Sequence, residues 1–176
     1  MLYYSLVYSH LTYAIEVWGS ADNTHLNRLL ILQKRIVRML SYTDKRHEDH
    51  SYSPSDPLFY KMQIHKVYDI LKLRIAKFIF TSLEKSNPTN FHYWFKLIDH
   101  LYQHNTRSKF VDIVNSINTR TLFVPTSRTT YYGLKLTKVL GTKLWNNLPS
   151  LFRVSNLTLS TFLKNLKKYL IYSYEH

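Results

Sequence analysis

Ile70-Leu71-Lys72-Leu73-Arg74-Ile75-Ala76-Lys77-Phe78-Ile79-Phe80-Thr81-Ser82-Leu83 decides how the chain folds. It lies in a longer pattern from Leu58 to about Lys85. There Val67, Ile70, Leu71, Ile75, Phe78, Ile79 and Leu83 recur at steps of three and four, which puts them on one side of a helix. Asn87-Pro88 ends the pattern, because the residue before a proline is pushed out of helical conformation. Lys72, Arg74 and Lys77 interrupt the apolar run, so it reads as a buried helix; a membrane span needs about 20 mostly apolar residues.

The same periodicity extends in both directions. On the N-terminal side, Leu6, Val7, Leu11, Ala14, Ile15 and Trp18 predict a buried helix over residues 2 to 18, with Gly19 as its left-handed C-terminal residue. Asp22 to Thr24 supply capping side chains for a second helix to about Leu40, whose apolar face is Leu26, Leu29, Leu30, Gln33, Ile36, Val37 and Leu40. Residues 41 to 56 are polar and turn-rich and predict a flexible loop. At its end Asp56 is placed to cap a helix and Pro57 to occupy the first helical position.

On the C-terminal side, Phe91, Trp94, Phe95, Ile98, Leu101 and Tyr102 predict a helix from Thr89 to His104. Leu122 to Pro125 is β-like, Leu134 to Asn146 helical, and Pro149 a stop. Ser160 to Tyr174 is a last amphipathic helix carrying Phe162, Leu163, Leu166, Tyr169 and Leu170. The expectation is a mainly α, irregular domain of about six helices spanning residues 1 to 176, with no internal repeat and no low-complexity segment.

Composition sets further limits. A chain of 176 residues suits one domain, and 45% apolar with 20% charged residues is globular in character. Lys and Arg number 24 against 11 Asp and Glu, leaving +13, a balance that favours phosphate-rich partners or anionic lipid. Residues 1 to 27 contain no Lys or Arg and two acids, Glu16 and Asp22, so all the basicity begins at Arg28. The absence of Cys excludes disulfides, thiolate metal clusters and a cysteine nucleophile, and suits an intracellular setting. The apolar N-terminus has no basic leader and carries His10 and Glu16, against a secretory signal.

Several short motifs follow one another along the chain. They are His10-Leu11-Thr12-Tyr13 with Val17-Trp18-Gly19, Leu29-Leu30 with Gln33-Lys34-Arg35-Ile36-Val37-Arg38, Asn105-Thr106-Arg107, Leu144-Trp145-Asn146-Asn147-Leu148-Pro149, and Phe162-Leu163-Lys164 before Lys167-Lys168-Tyr169-Leu170. No one of them is specific, but their joint order over roughly residues 2 to 174 resembles the region downstream of the polymerase thumb in reverse transcriptases of non-LTR (LINE-type) retrotransposons, of the jockey and CR1-like kind. Residues 110 to 118 form a longer link than that family usually has before the Trp-Asn motif. The resemblance implies an accessory, non-catalytic segment that holds element RNA or target DNA for an upstream thumb and palm, within a nuclear or cytoplasmic ribonucleoprotein. The alternative it implies is an inert truncated transposon remnant, with Met1 only the first methionine of a shortened frame.

The chemistry of the residues agrees with a non-catalytic role. A polymerase palm needs paired aspartates to hold two metal ions, yet Asp22, Asp44, Asp49, Asp56, Asp69, Asp99 and Asp112 are scattered singly. Only Gly19, Gly133 and Gly141 occur, too few for a Gly-rich phosphate cradle. His47-Glu48-Asp49-His50 reads as a solvated loop, and His100 with His104 lacks the further ligands that zinc requires, so no metal or cofactor is expected. Trp18 and Trp145 read as packing anchors, and Asn146 as bonding backbone at a helix end before Pro149.

From Arg107 to Lys143 the chain carries Arg107, Lys109, Arg120, Arg128, Lys135, Lys138 and Lys143 against Asp112 alone, with Phe123, Tyr131 and Tyr132 interleaved. Cations contact phosphates and aromatic faces stack on unpaired bases, so these seven are the candidate nucleic-acid contacts. The bland alternative is a solvated basic surface over an aromatic core. Arg35 and Arg38, with Lys34, form a second candidate face, which either touches nucleic acid or packs on the neighbouring thumb. The competing function is a structural protein-interaction module. A membrane-surface role for the Ser160 to Tyr174 helix ranks last, and no membrane partner is expected.

Overall fold

The computed structural model describes residues 2–41, 55–98, 120–127, 129, 132–154 and 156–174, and among them the chain is mainly helical with no strand. In order, a π-helical turn Tyr4–Tyr8 leads into α1 (Ser9–Thr12) and α2 (Ile15–Trp18), followed by α3 (Asn23–Ser41), α4 (Asp56–Lys61) and α5 (Val67–Leu83). A 3-10 turn Thr89–Phe91 comes next, then α6 (Tyr132–Lys135), α7 (Thr137–Asn146), a second 3-10 turn Ser150–Phe152 and α8 (Leu159–Tyr172). The expected loop lies outside the described residues from 42 to 54. The chain divides into two compact units, Met1–Arg74 with Asn165–His176 and Ile75–Lys164, the boundaries falling inside α5 and α8.

In the first unit the expected single helix over residues 2 to 18 is broken. Tyr13 is extended (ψ 115°) and Ala14 is left-handed (φ 49°), and the indole Nε1 of Trp18 donates to the Tyr13 carbonyl at 2.6 Å across the break. Gly19 has an ordinary φ of −66°, so it is not the expected left-handed stop. Glycine is needed there for closeness, since a Cβ would lie 2.4 Å from the Ile15 carbonyl oxygen and 2.4 Å from Leu71 Cδ1.

α3 begins as expected, with Asp22 Oδ1 accepting from the Thr24 N–H at 3.3 Å, and it buries Leu26, Gln33 and Val37. The helix expected from Leu58 to Lys85 is instead two helices. Asp56, expected as the cap, is the first residue of α4, and Gln63 (φ 54°) ends that helix. The Ile64 N–H reaches Phe59 O at 3.0 Å and the Gln63 N–H reaches Tyr60 O at 3.1 Å, the paired bonds of a Schellman motif. Phe59 and Ile64, brought together by that turn, join Tyr3, Val37, Ile171 and Tyr174 in one apolar cluster.

In the second unit α5 ends on the same device, with Lys85 left-handed (φ 54°), its N–H on Ser82 O at 3.1 Å and the Ser86 N–H on Thr81 O at 2.9 Å. The helix expected from Thr89 is absent through residue 98; residues 99 to 104 lie outside the description. Beyond the 3-10 turn, Phe91, Trp94 and Phe95 close around Phe78, with ring centroids 5.3, 6.2 and 5.9 Å from it. Leu97 pairs with Leu122 in an isolated antiparallel bridge, which is the form the expected β-like piece takes.

The helix expected over Leu134 to Asn146 is interrupted at Leu136 (ψ 133°), giving α6 and α7. Gly141 lets α7 approach α5 closely, because a Cβ there would meet Ile75 Cγ2 and Ile79 Cδ1 at 3.2 Å. Trp145 and Phe80 flank Phe162, at 5.8 and 4.8 Å between centroids, and all three are buried. Burial of side chains this size contributes roughly 1.5–3 kcal/mol apiece.

Candidate functional site

Three motif residues, Gln33, Trp145 and Asn146, hold the fold through internal hydrogen bonds. Gln33 is fully buried on α3, and its amide satisfies three groups: Nε2 donates to Tyr3 Oη and to the His65 carbonyl, each at 2.7 Å, while Oε1 accepts from the Val67 N–H at 2.9 Å. The last bond caps the first turn of α5, whose leading N–H groups have no partner within the helix. Burial pushes the Tyr3 phenol up to about 12, against the lowering effect of the Gln33 bond.

A second buried pair lies beside it. Tyr174 Oη donates to Asp69 Oδ2 and accepts the Lys66 N–H at 3.1 Å, while Lys72 Nζ holds Asp69 Oδ1 at 2.8 Å. Burial and then the Asp69 carboxylate raise the Tyr174 phenol far above its usual range. Lys66 pairs with Asp56 at 3.0 Å and sits 4.3 Å from the Tyr174 ring centre.

In the second unit Trp145 Nε1 donates to the Arg120 carbonyl at 2.6 Å. Asn146 pairs with both backbone groups of Leu122, accepting its N–H at 3.0 Å and donating to its carbonyl at 2.8 Å. This corrects the expectation for Asn146: it does not staple its own helix end but imitates a strand against residue 122. Trp145 is the anchor the sequence predicted.

Around this scaffold the candidate cations fall into distinct settings. Arg35 on α3 is exposed and Arg38 half-buried. On and before α7, Lys143 is exposed and Lys135 and Lys138 half-buried. Arg120 is half-buried, with Nη1 2.5 Å from Glu84 Oε1 and its guanidinium 6.0 Å from the Phe80 ring centre. Its N–H also donates to the Arg153 carbonyl at 2.8 Å, so Arg120 is strongly tied to the fold. Arg107, Lys109 and Arg128 lie outside the described residues, as do His47, His50, His100 and His104. Arg35 and Arg38 belong to the first unit, and Arg120, Lys135, Lys138 and Lys143 to the second.

Among the described residues no three His, Asp or Glu side chains gather to hold a metal ion. The described aspartates have structural partners: Asp22 at the start of α3, Asp56 on Lys66, and Asp69 on Tyr174 and Lys72. No described helix is long and apolar enough to cross a membrane.

One cavity escaped the sequence reading. A cleft of about 480 Å³ opens in the second unit beside the C-terminal end of α5, lined by Ser82, Lys85, His92, Tyr93, Phe95 and Lys96 among others. Its volume is within the range of small-ligand clefts, roughly 300–1,000 Å³. A signal was available in the sequence, since Lys85, His92, Tyr93 and Lys96 interleave cations and aromatics, but Lys85 closed one segment read as a helix and the other three sat inside the next.

Comparison with protein-family models, with curated proteins and with solved structures finds no match to this chain.

Proposed function

We propose that this chain is a non-catalytic, polyanion-binding segment, of the kind that follows the polymerase in LINE-type reverse transcriptases, holding element RNA or target DNA by its phosphates. Its partners on this reading are the nucleic acid and the upstream thumb and palm, within an intracellular ribonucleoprotein. The supporting observation is a division of labour inside the motifs. Gln33, Trp145 and Asn146 are turned to internal hydrogen bonds, while their near neighbours Arg35 and Lys143 are exposed. A net charge of +13 gives that surface its partner class.

The test is a salt series on the purified full chain with fluorescent RNA and DNA. Affinity falls linearly in log salt, because each phosphate contact releases condensed counterions. Indifference to both polymers at low ionic strength overturns the proposal.

A second reading, a protein-interaction module, is favoured by α3. Ile31, Leu32 and Met39 are 52, 51 and 75% exposed and share the outer side of that helix with Arg28 and Arg35. Docking through such a face is nearly insensitive to salt.

A further inference from the structure

We infer that the cleft beside the C-terminal end of α5 is a stacking site for an unpaired nucleotide of a single strand, with Tyr93 as the platform for the base and Lys85 and Lys96 as contacts for the flanking phosphates. The inference goes beyond the basic segment considered above and rests on the polyanion-binding reading.

Tyr93 is 77% exposed, against 37% for Trp94, and the rings of Trp94 and Phe91 pack edge-on against each other and against Phe78. Among the described residues its own ring meets no other ring. An aromatic face left open at the mouth of a cleft offers a base the sequence-tolerant stacking that single-strand binders use.

The two lysines are held on fixed backbone. Lys85 occupies the left-handed position of the Schellman turn, where glycine would be less strained. Lys96 lies on the bridged segment, its carbonyl accepting the Phe123 N–H at 2.9 Å while the Ile98 N–H donates to Thr121 O at 3.1 Å. Both lysines are exposed, and neither forms an ion pair with an acid among the described residues. The one acid adjoining the turn, Glu84, is engaged by Arg120. Phe95 is a buried wall, and His92 is fixed by a 2.5 Å bond from its ring Nε2 to the Asn87 carbonyl. Apolar wall, open aromatic and two exposed cations together suit a base flanked by phosphates; a duplex keeps its bases paired and cannot use the ring.

The experiment measures binding of the full chain to fluorescent rU12, dT12 and a 12-base-pair duplex by anisotropy. Tyr93→Ala should weaken binding to one or both single strands by roughly 5- to 150-fold and leave the duplex within about twofold. Tyr93→Phe, which keeps the ring, should bind like the parent. Lys85→Ala with Lys96→Ala should lower the slope of log affinity against log salt on the single strands by about 1.4, at about 0.7 per phosphate contact. The rU12 and dT12 arms separate RNA from DNA as the source of the strand. Single-strand binding unchanged in Tyr93→Ala, or an equal loss on the duplex, overturns the inference while the polyanion-binding reading stands. Failure of the parent chain to bind any of the three oligonucleotides overturns both.

Discussion

His65 occupies a site that disfavours its charged form. The ring is buried, with Nε2 3.2 Å from the Lys167 carbonyl oxygen, so that nitrogen carries the hydrogen. Burial holds its pKa below the usual histidine range; the Lys167 carbonyl bond and the Asp69 charge oppose this more weakly, and the Lys167 charge adds to it. A base whose folded pKa lies below its unfolded value of about 6.5 binds more protons when unfolded, so stability drops as pH falls through that value. Urea unfolding at pH 7, 6 and 5 should show a decline of up to about 1.4 kcal/mol per pH unit from this residue. His65→Gln, which keeps an amide N–H for Lys167 and does not titrate, should flatten the profile. Parallel profiles for parent and variant would refute this role. Such single-residue roles were only half legible. Gln33 was placed on the buried face of its helix by spacing alone, and Trp145 was read as an anchor. Their partners, Val67 and Arg120, lie 34 and 25 positions away, beyond the reach of any local pattern.

At the level of elements, the long amphipathic helices were readable and their interruptions were not. α3 and α8 lie within a residue or two of where spacing and capping put them. Two of the missed breaks share one cause: the left-handed positions at Ala14 and Gln63, like the one that ends α5 at Lys85, are held by residues where sequence reasoning looks for glycine, whereas the break at Leu136 is extended (ψ 133°). The segment after Asn87-Pro88 failed differently. Phe91, Trp94 and Phe95 have helical spacing but are drawn onto Phe78 by ring packing, and a compact aromatic turn satisfies the same pattern. The strained positions make a prediction. A left-handed L-residue costs about 1–2 kcal/mol, partly offset by the greater unfolded-state freedom of glycine. Ala14→Gly at this exposed site should therefore stabilise the chain by about 0.5–1 kcal/mol, raising Tm by a few degrees in a thermal melt. An unchanged or lower Tm would refute the strain. Lys85→Gly should gain similarly yet lose single-strand affinity, the pattern expected where a strained residue is retained for binding.

Over the whole molecule, charge is the property most fully readable from sequence, because it is additive and needs no partners. Among the described residues, ion pairs with Asp56, Asp69 and Glu84 engage Lys66, Lys72 and Arg120, while the whole sequence carries a net +13. The location of a site is less readable, since the cleft is assembled from a helix end, a turn and a bridged segment that periodicity merged into two helices. The two functional readings therefore separate best on a bulk electrostatic measurement. Arg107, Arg128 and Lys143 replaced together by Ala should lower the salt slope on single-stranded RNA by about 2, at roughly 0.7 per phosphate contact, and weaken binding most at low salt. Ile31, Leu32 and Met39 replaced together by Ser should leave that slope unchanged, because removing apolar surface releases no counterions. The reverse outcome, with the slope intact after loss of the three cations and nucleic-acid binding abolished by the α3 changes, would move the interaction to the apolar face and defeat the phosphate-contact assignment of the basic segment.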